Sequence, residues 1–256
     1  MLGAITGDII GSVYEFRNIK TKVFPLFSEE SEFTDDTILT VAIADAIIKG
    51  IPYCDSIREW CSRYPSPKGG YGSHFLQWLH SRNPEPYYSM GNGSAMRVSP
   101  IAYAFGKNEM LTEARKSAKI THNHPEGIKG AQAVCLAISL ALGKWSKHEI
   151  QRNIEIRFDY DLHRSVNTIR PDYQFNETCP GSVPEAIICF LESESFDDAI
   201  RNAISIGGDS DTIAAITGSI AEAFYGGIPK EIEEKALSYL PADMIKVVTK
   251  FRQNYG

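Results

Sequence analysis

The chain has 256 residues, 43% of them hydrophobic and 23% charged, the proportions of a soluble globular protein and not of a disordered, collagen-like or membrane chain. With 26 Lys and Arg against 32 Asp and Glu the formal charge is -6, and no basic run tracks a phosphate backbone, so autonomous binding of duplex nucleic acid is not expected. The longest uncharged apolar stretch, around Ala133 to Gly143, falls short of the ~20 residues that a spanning helix needs, so no membrane helix is expected.

Helical patterns dominate from the first residues. Over residues 2–16, Gly3, Gly7 and Gly11 recur every four positions and leave a bare stripe on one helix face, at a cost of ~1 kcal/mol of helix propensity each. Either another helix packs on that stripe or the helix runs beneath a ligand. Asp8 and Glu15, two turns apart, fall on one face of the same helix. A second helix is expected over residues 34–49, where Ile38, Val41, Ala42, Ala46 and Ile48 recur before a stop at Gly50. Further helices are expected over residues 54–63, 73–81, 109–120, 125–142, 184–191, 196–204, 209–225, 229–240 and 242–254. The alternation Ile154, Ile156, Phe158, Tyr160, Leu162 reads instead as a short strand within an ordered loop that runs to Thr178. No linker, low-complexity tract or repeat divides the chain, which predicts one all-α domain over residues 1–256. No basic start precedes an apolar run, since Arg17 is the first cation, and the cysteines Cys54, Cys61, Cys135, Cys179 and Cys189 form no CxxC pair. A cytoplasmic protein without a thiolate zinc site is the expectation.

Two acidic clusters share a grammar. Thr34-Asp35-Asp36-Thr37 and Asp209-Ser210-Asp211-Thr212 each open a helix, and the second follows Gly207-Gly208. Helix capping explains a hydroxyl or carboxylate at such a place. Each cluster nevertheless holds more carboxylates than a cap uses, and crowded like charges call for a cation. Hard oxygen ligands without His or Cys select Mg²⁺, Mn²⁺ or Ca²⁺. Asp35, Asp36, Asp209 and Asp211 together balance two divalent ions, with Thr34 and Thr212 as neutral ligands. Elsewhere, the segment from Gly91 through Asn92, Gly93, Ser94, Ala95 and Met96 to Arg97 opens a helix with flexible glycines that a phosphate can approach. Arg97 offers a partner for an anion or an acidic group. His122 and His124 precede the most apolar helix, as ligand-facing groups or as a structural pair.

In this order the stretches GAITGDIIGSVYEF (3–16), FTDDT (33–37), GNGSAMRVSP (91–100), THNHPEGIKGAQA (121–133) and GGDSDTIAAITGSIAEAFYG (207–226) resemble the ADP-ribosylglycohydrolase family, which includes the dinitrogenase reductase-activating glycohydrolase and the ADP-ribosyl-acceptor hydrolases. The resemblance runs from end to end. It implies a compact all-α fold with a binuclear Mg²⁺ or Mn²⁺ centre in a central cleft. In that pattern Thr34, Asp35 and Asp36 match one metal-binding motif and Asp209, Asp211 and Thr212 the other. Glu15 matches a glutamate that acts near the reacting carbon in part of the family, and Gly91, Asn92, Gly93, Ser94, Met96 and His122 match segments that line the ADP-ribose site.

The implied activity is hydrolysis of the glycosidic bond between ADP-ribose and an acceptor, a protein side chain or a small molecule, releasing ADP-ribose. Cleavage through an oxocarbenium-like state by a metal-activated water, with Glu15 or Asp36 as base, is the expected chemistry. Two rival readings use the same residues: a metal-dependent phosphoesterase acting on a nucleotide diphosphate, and a non-catalytic ADP-ribose-binding relative. Residues 17–33 and 154–178 match no motif of the family, which leaves them as candidate acceptor-facing parts and the acceptor unassigned.

Overall fold

In the computed structural model, which describes residues 1–256, fifteen helices follow one another: α1 (Leu2–Gly11), α2 (Asp35–Lys49), α3 (Tyr53–Arg63), α4 (Ser73–His80), α5 (Gly93–Met96), α6 (Ser99–Ala104), α7 (Met110–Lys119), α8 (Pro125–Leu142), α9 (Lys147–Phe158), α10 (Val166–Ile169), α11 (Cys179–Leu191), α12 (Phe196–Ser205), α13 (Ser210–Tyr225), α14 (Lys230–Leu237) and α15 (Ala242–Tyr255). There is no sheet. Two isolated bridges, Thr34 with Lys68 and Gly91 with Thr178, tie loops together. The fold is a single all-helical domain around one hydrophobic core, and no helix is long and apolar enough to cross a membrane.

The centre is α13. Its small and β-branched residues leave no polar face, so it is buried on all sides, against α1, α8, α11 and α12. The glycine stripe of α1 explains the closest of these contacts. A Cβ on Gly3 would lie 2.1 Å from the Gly218 carbonyl oxygen, one on Gly7 2.0 Å from that of Ala214, and one on Gly11 2.5 Å from Asp211 Cα. The stripe is therefore a helix-packing surface, and its Gly11 end brings the C-terminus of α1 against the first turn of α13.

Helices α6 and α10 fall where no helix was expected, and three further elements differ from the expectation. Helix α1 stops at Gly11: the Ser12 amide donates to Asp8 O at 2.8 Å, the Ser12 hydroxyl folds back onto Ile9 O, and the chain turns through Tyr14. Glu15 thus lies beyond the helix and not on the face of Asp8. The alternation from Ile154 falls largely inside a helix, α9, which starts at a capping box of Ser146 and Glu149. Ile150 and Ile154 bury one face there while Ile156 faces solvent, so the apparent period of two was carried by an exposed residue. Helix α11 begins at Cys179, capped by the Thr178 side chain, and Pro184 lies inside it instead of starting it.

Candidate active site

The first acidic cluster is built on α1 and α2. Buried Asp8 accepts from the Thr34 amide at 2.9 Å, the Thr34 hydroxyl at 2.7 Å, the Thr37 amide at 3.1 Å and the Thr37 hydroxyl. Thr34 Oγ1 in turn accepts from the Asp36 amide, which makes Thr34 the cap of α2 and leaves that oxygen one free lone pair. Because capping and anchoring fall to Thr34 and Asp8, Asp35 and Asp36 are released from both. Asp36 Oδ1 accepts from the Thr212 hydroxyl at 3.2 Å, while Asp36 Oδ2 is buried without a partner.

The second cluster hangs on a turn that only glycine makes easily. Gly207 and Gly208 have φ of 71° and 77°, and a Cβ on Gly208 would meet the Tyr173 ring at 2.3 Å. Asn18 clamps this turn, accepting from the Gly208 amide and donating to its carbonyl, and Lys20 donates to Ile206 O and Tyr173 O. The loop after α1 therefore braces the entry to α13. Asp209 occupies the cap position, yet its side chain makes no capping bond and accepts from Asn92 Nδ2 at 2.7 Å.

Glu15, Asp209 and Asp211 offer oxygens that all lie within 4.8 Å of one another, a group able to hold a metal ion. No lysine, arginine or histidine pairs with Asp35, Asp36, Asp209 or Asp211. Burial, followed by neighbouring carboxylates, pushes Asp35, Asp36 and Asp211 well above the ordinary carboxylate range. Burial raises Asp8 and Asp209 to about 6, and burial with the charges of Asp211 and Asp8 raises Glu15 to about 8. Without a cation this cluster resists ionisation.

A cavity of about 640 Å³ opens over these residues, within the size range of small-molecule sites. Among the residues singled out from sequence, Glu15, Asp35, Asp36, Asp209, Asp211, Thr212, Gly91, Asn92, Gly93, Met96 and His122 all line it. Thr34 and Ser94 do not: Thr34 is buried against Asp8, and the Ser94 hydroxyl donates to Gly127 O at 2.7 Å. The loop carrying Gly91 is pinned to the start of α11 by backbone bonds from Asn92 to Glu177 O and from Cys179 to Met90 O, both 2.8 Å. The two histidines part company. His124 caps α8 by accepting from the Glu126 amide, whereas His122 faces the cavity. Arg97 also lines the cavity; it is fully buried and pairs with no acid.

Several lining residues were not singled out from sequence, among them Gly69, His74, Tyr87, Phe16, Phe175 and Glu177. The glycine-rich run Gly69 to Gly72 was the available signal. Gly69 approaches Glu15 closely enough that a Cβ would sit 2.9 Å from Oε2. Phe16 and Phe175 stack with centroids 6.4 Å apart, joining loops 159 positions apart in the chain, a pairing invisible to periodicity. Of the two segments without a motif, residues 17–33 contribute nothing to the lining, and residues 154–178 contribute Phe175, Glu177 and Thr178.

The chain is similar to ADP-ribosylhydrolase ARH3 of Homo sapiens, at 26% identity over 96% of this chain and 90% of that protein. It is also similar to the ADP-ribosylarginine hydrolase Tri1 of Pseudomonas putida (strain GB-1), at 24% identity over 92% of this chain and 72% of that one. A solved structure titled ADP-ribosylglycohydrolase-related protein complex shares the fold, with a TM-score of 0.74 at 23% identity over 99% of this chain and 96% of its own. The sequence model of the ADP-ribosylglycohydrolase family matches residues 1–252, nearly the whole chain, and this protein belongs to that family.

Proposed function

We propose that the protein is a metal-dependent hydrolase that cleaves the glycosidic bond between ADP-ribose and an acceptor, releasing ADP-ribose. The observation that carries this reading is the gathering of Glu15, Asp209 and Asp211 on the same cavity as the Gly91 loop and His122. The donor set fits hard divalent cations: it is all oxygen, short of counter-charges, and includes the unpartnered Oδ2 of Asp36. Thr34, Asp35, Asp36, Asp209, Asp211 and Thr212 would hold two Mg²⁺ or Mn²⁺ ions. Cations there supply Lewis-acid polarisation and offset the carboxylate charge.

The remaining work falls to side chains of the cavity. Glu15 is half-buried and faces the open space, so it is the carboxylate placed to take a proton from an attacking water or to face positive charge developing at the ribose carbon. Asp36 is more enclosed and already accepts from Thr212, which favours Glu15 as base. Gly91, Asn92, Gly93, Met96 and His122 would contact the nucleotide, whereas Ser94 supports the loop from outside the lining, its hydroxyl committed to Gly127 O. The acceptor would be an ADP-ribosylated side chain or small molecule. Five free thiols suit a cytoplasmic setting.

The test is incubation with a panel of ADP-ribosylated acceptors, with and without Mg²⁺ or Mn²⁺, following free ADP-ribose. Metal-dependent release of intact ADP-ribose from at least one acceptor is expected. Release of phosphate from a nucleotide diphosphate, or binding of ADP-ribose without turnover across the panel, would overturn the reading.

A further inference from the structure

Arg97 is tied to its neighbours through a single nitrogen. Its guanidinium is fully buried, no carboxylate pairs with it, and Nε and Nη1 have no partner. Such a charge is costly to hold. Its one engaged nitrogen, Nη2, donates to Ser117 O at 3.0 Å and to Thr121 Oγ1 at 2.9 Å. Thr121 is itself fully buried, and its Oγ1 lies 2.7 Å from His122 Nδ1.

A guanidinium can only donate, so one lone pair of Thr121 Oγ1 is taken. The hydroxyl proton then has a single acceptor within reach, His122 Nδ1. If Nδ1 carried the proton instead, the buried threonine hydrogen would be left without a partner. The ring proton therefore sits on Nε2. That atom makes no bond within the protein and stands beside the Gly91 loop, where a Cβ on Gly91 or Gly93 would fall 3.3 or 3.2 Å from it. The ring lines the cavity. Burial and the charge of Arg97 both hold the imidazole well below its ordinary range, so the ring stays neutral.

We propose that Arg97 and Thr121 are positioning residues that lock His122 as the neutral tautomer with its proton on Nε2, so that the cavity presents one fixed, uncharged donor to an oxygen of the bound nucleotide. The donor's orientation rests on the geometry alone. The identity of its acceptor as ADP-ribose rests on the proposed function.

The test is a long-range proton–nitrogen correlation spectrum of the full-length protein labelled at histidine, at neutral pH, with His122 assigned by the loss of its signals in His122→Gln. A bare Nδ1 and a protonated Nε2 are expected. A proton on Nδ1, or a doubly protonated ring, overturns the proposal without any reference to substrate. Thr121→Val should then mix the tautomers and weaken ADP-ribose binding by about tenfold in calorimetry, the worth of one hydrogen bond. Thr121→Ser should restore both. Unchanged tautomer and affinity in Thr121→Val also overturn it. If wild-type protein fails to bind ADP-ribose, the functional reading falls, while the spectrum still decides the relay.

Discussion

Asp209 sits where a helix cap belongs, but its carboxylate is spent on Asn92 and not on a helix amide. Removing it therefore costs α13 no cap. Asp209→Ala and Asp211→Ala are expected to lower turnover by orders of magnitude while the metal-free protein melts no lower than wild type, because crowding among buried carboxylates is relieved. A capping role predicts the reverse, a loss of ~1 kcal/mol with activity retained. Paired melting and turnover measurements separate the two. Glu15 is a different case, set on a turn and half-buried at the cavity. Glu15→Gln keeps the size and the hydrogen-bonding capacity but removes the base, so turnover should fall by roughly 10² to 10⁴ with ADP-ribose affinity retained. Near wild-type turnover on a confirmed substrate would move the base role to Asp36.

At the scale of elements, the site depends on how closely α1 and α13 approach. The backbone contact at Gly7 leaves no room for a methyl group, since its Cβ would lie 2.0 Å from a carbonyl oxygen that is held in a helix. Gly7→Ala must push the helices apart, and a loss of at least ~1–3 kcal/mol in stability is expected from overpacking. Gly106 is the control, a glycine with nothing within 4 Å of its Cβ position and no left-handed backbone. Gly106→Ala should stay within ~1 kcal/mol of wild type. Denaturant titration of both variants checks the pair, and equal small effects would show that the stripe does not set the helix spacing.

Across the whole molecule the acidic cluster links stability to pH and to metal. Asp8 and Asp209 are held up to about 6 and Glu15 up to about 8, all above their values in an unfolded chain. For a raised carboxylate, the stabilisation is complete below the unfolded value of ~4 and is lost as pH rises through the folded one. The metal-free protein thus loses stability from this cluster between pH ~4 and ~8. A cation that binds the ionised cluster reverses that loss, adding RT ln(1 + [L]/Kd). The melting temperature gained on adding Mg²⁺ or Mn²⁺ to chelated protein should therefore widen from pH ~5 to ~8. A gain that is absent, or that narrows with pH, contradicts a metal role for these carboxylates.

Much of this was local and therefore legible in the chain. The start of α2 at Thr34, the stop at Gly50 and the cap-to-glycine span of α13 depend on residues a few positions apart, as does the gathering of Asp35 with Asp36 and of Asp209 with Asp211. The helical class followed from periodicity, except at α9, where exposed Ile156 imitated a strand, and at α1, where a serine bonding back to its own helix ended it early. What the tertiary structure alone decided is long-range. Glu15 joins Asp209 and Asp211 because the glycine stripe draws the end of α1 onto α13, almost 200 positions away. His122 and His124 look equivalent as neighbours in sequence, yet one caps a helix and the other faces a cavity, since only packing against Arg97, Thr121 and the Gly91 loop gives the first its orientation. Local bonds write capping and clustering into the chain; side-chain direction and proximity between distant segments exist only once the core has closed around them.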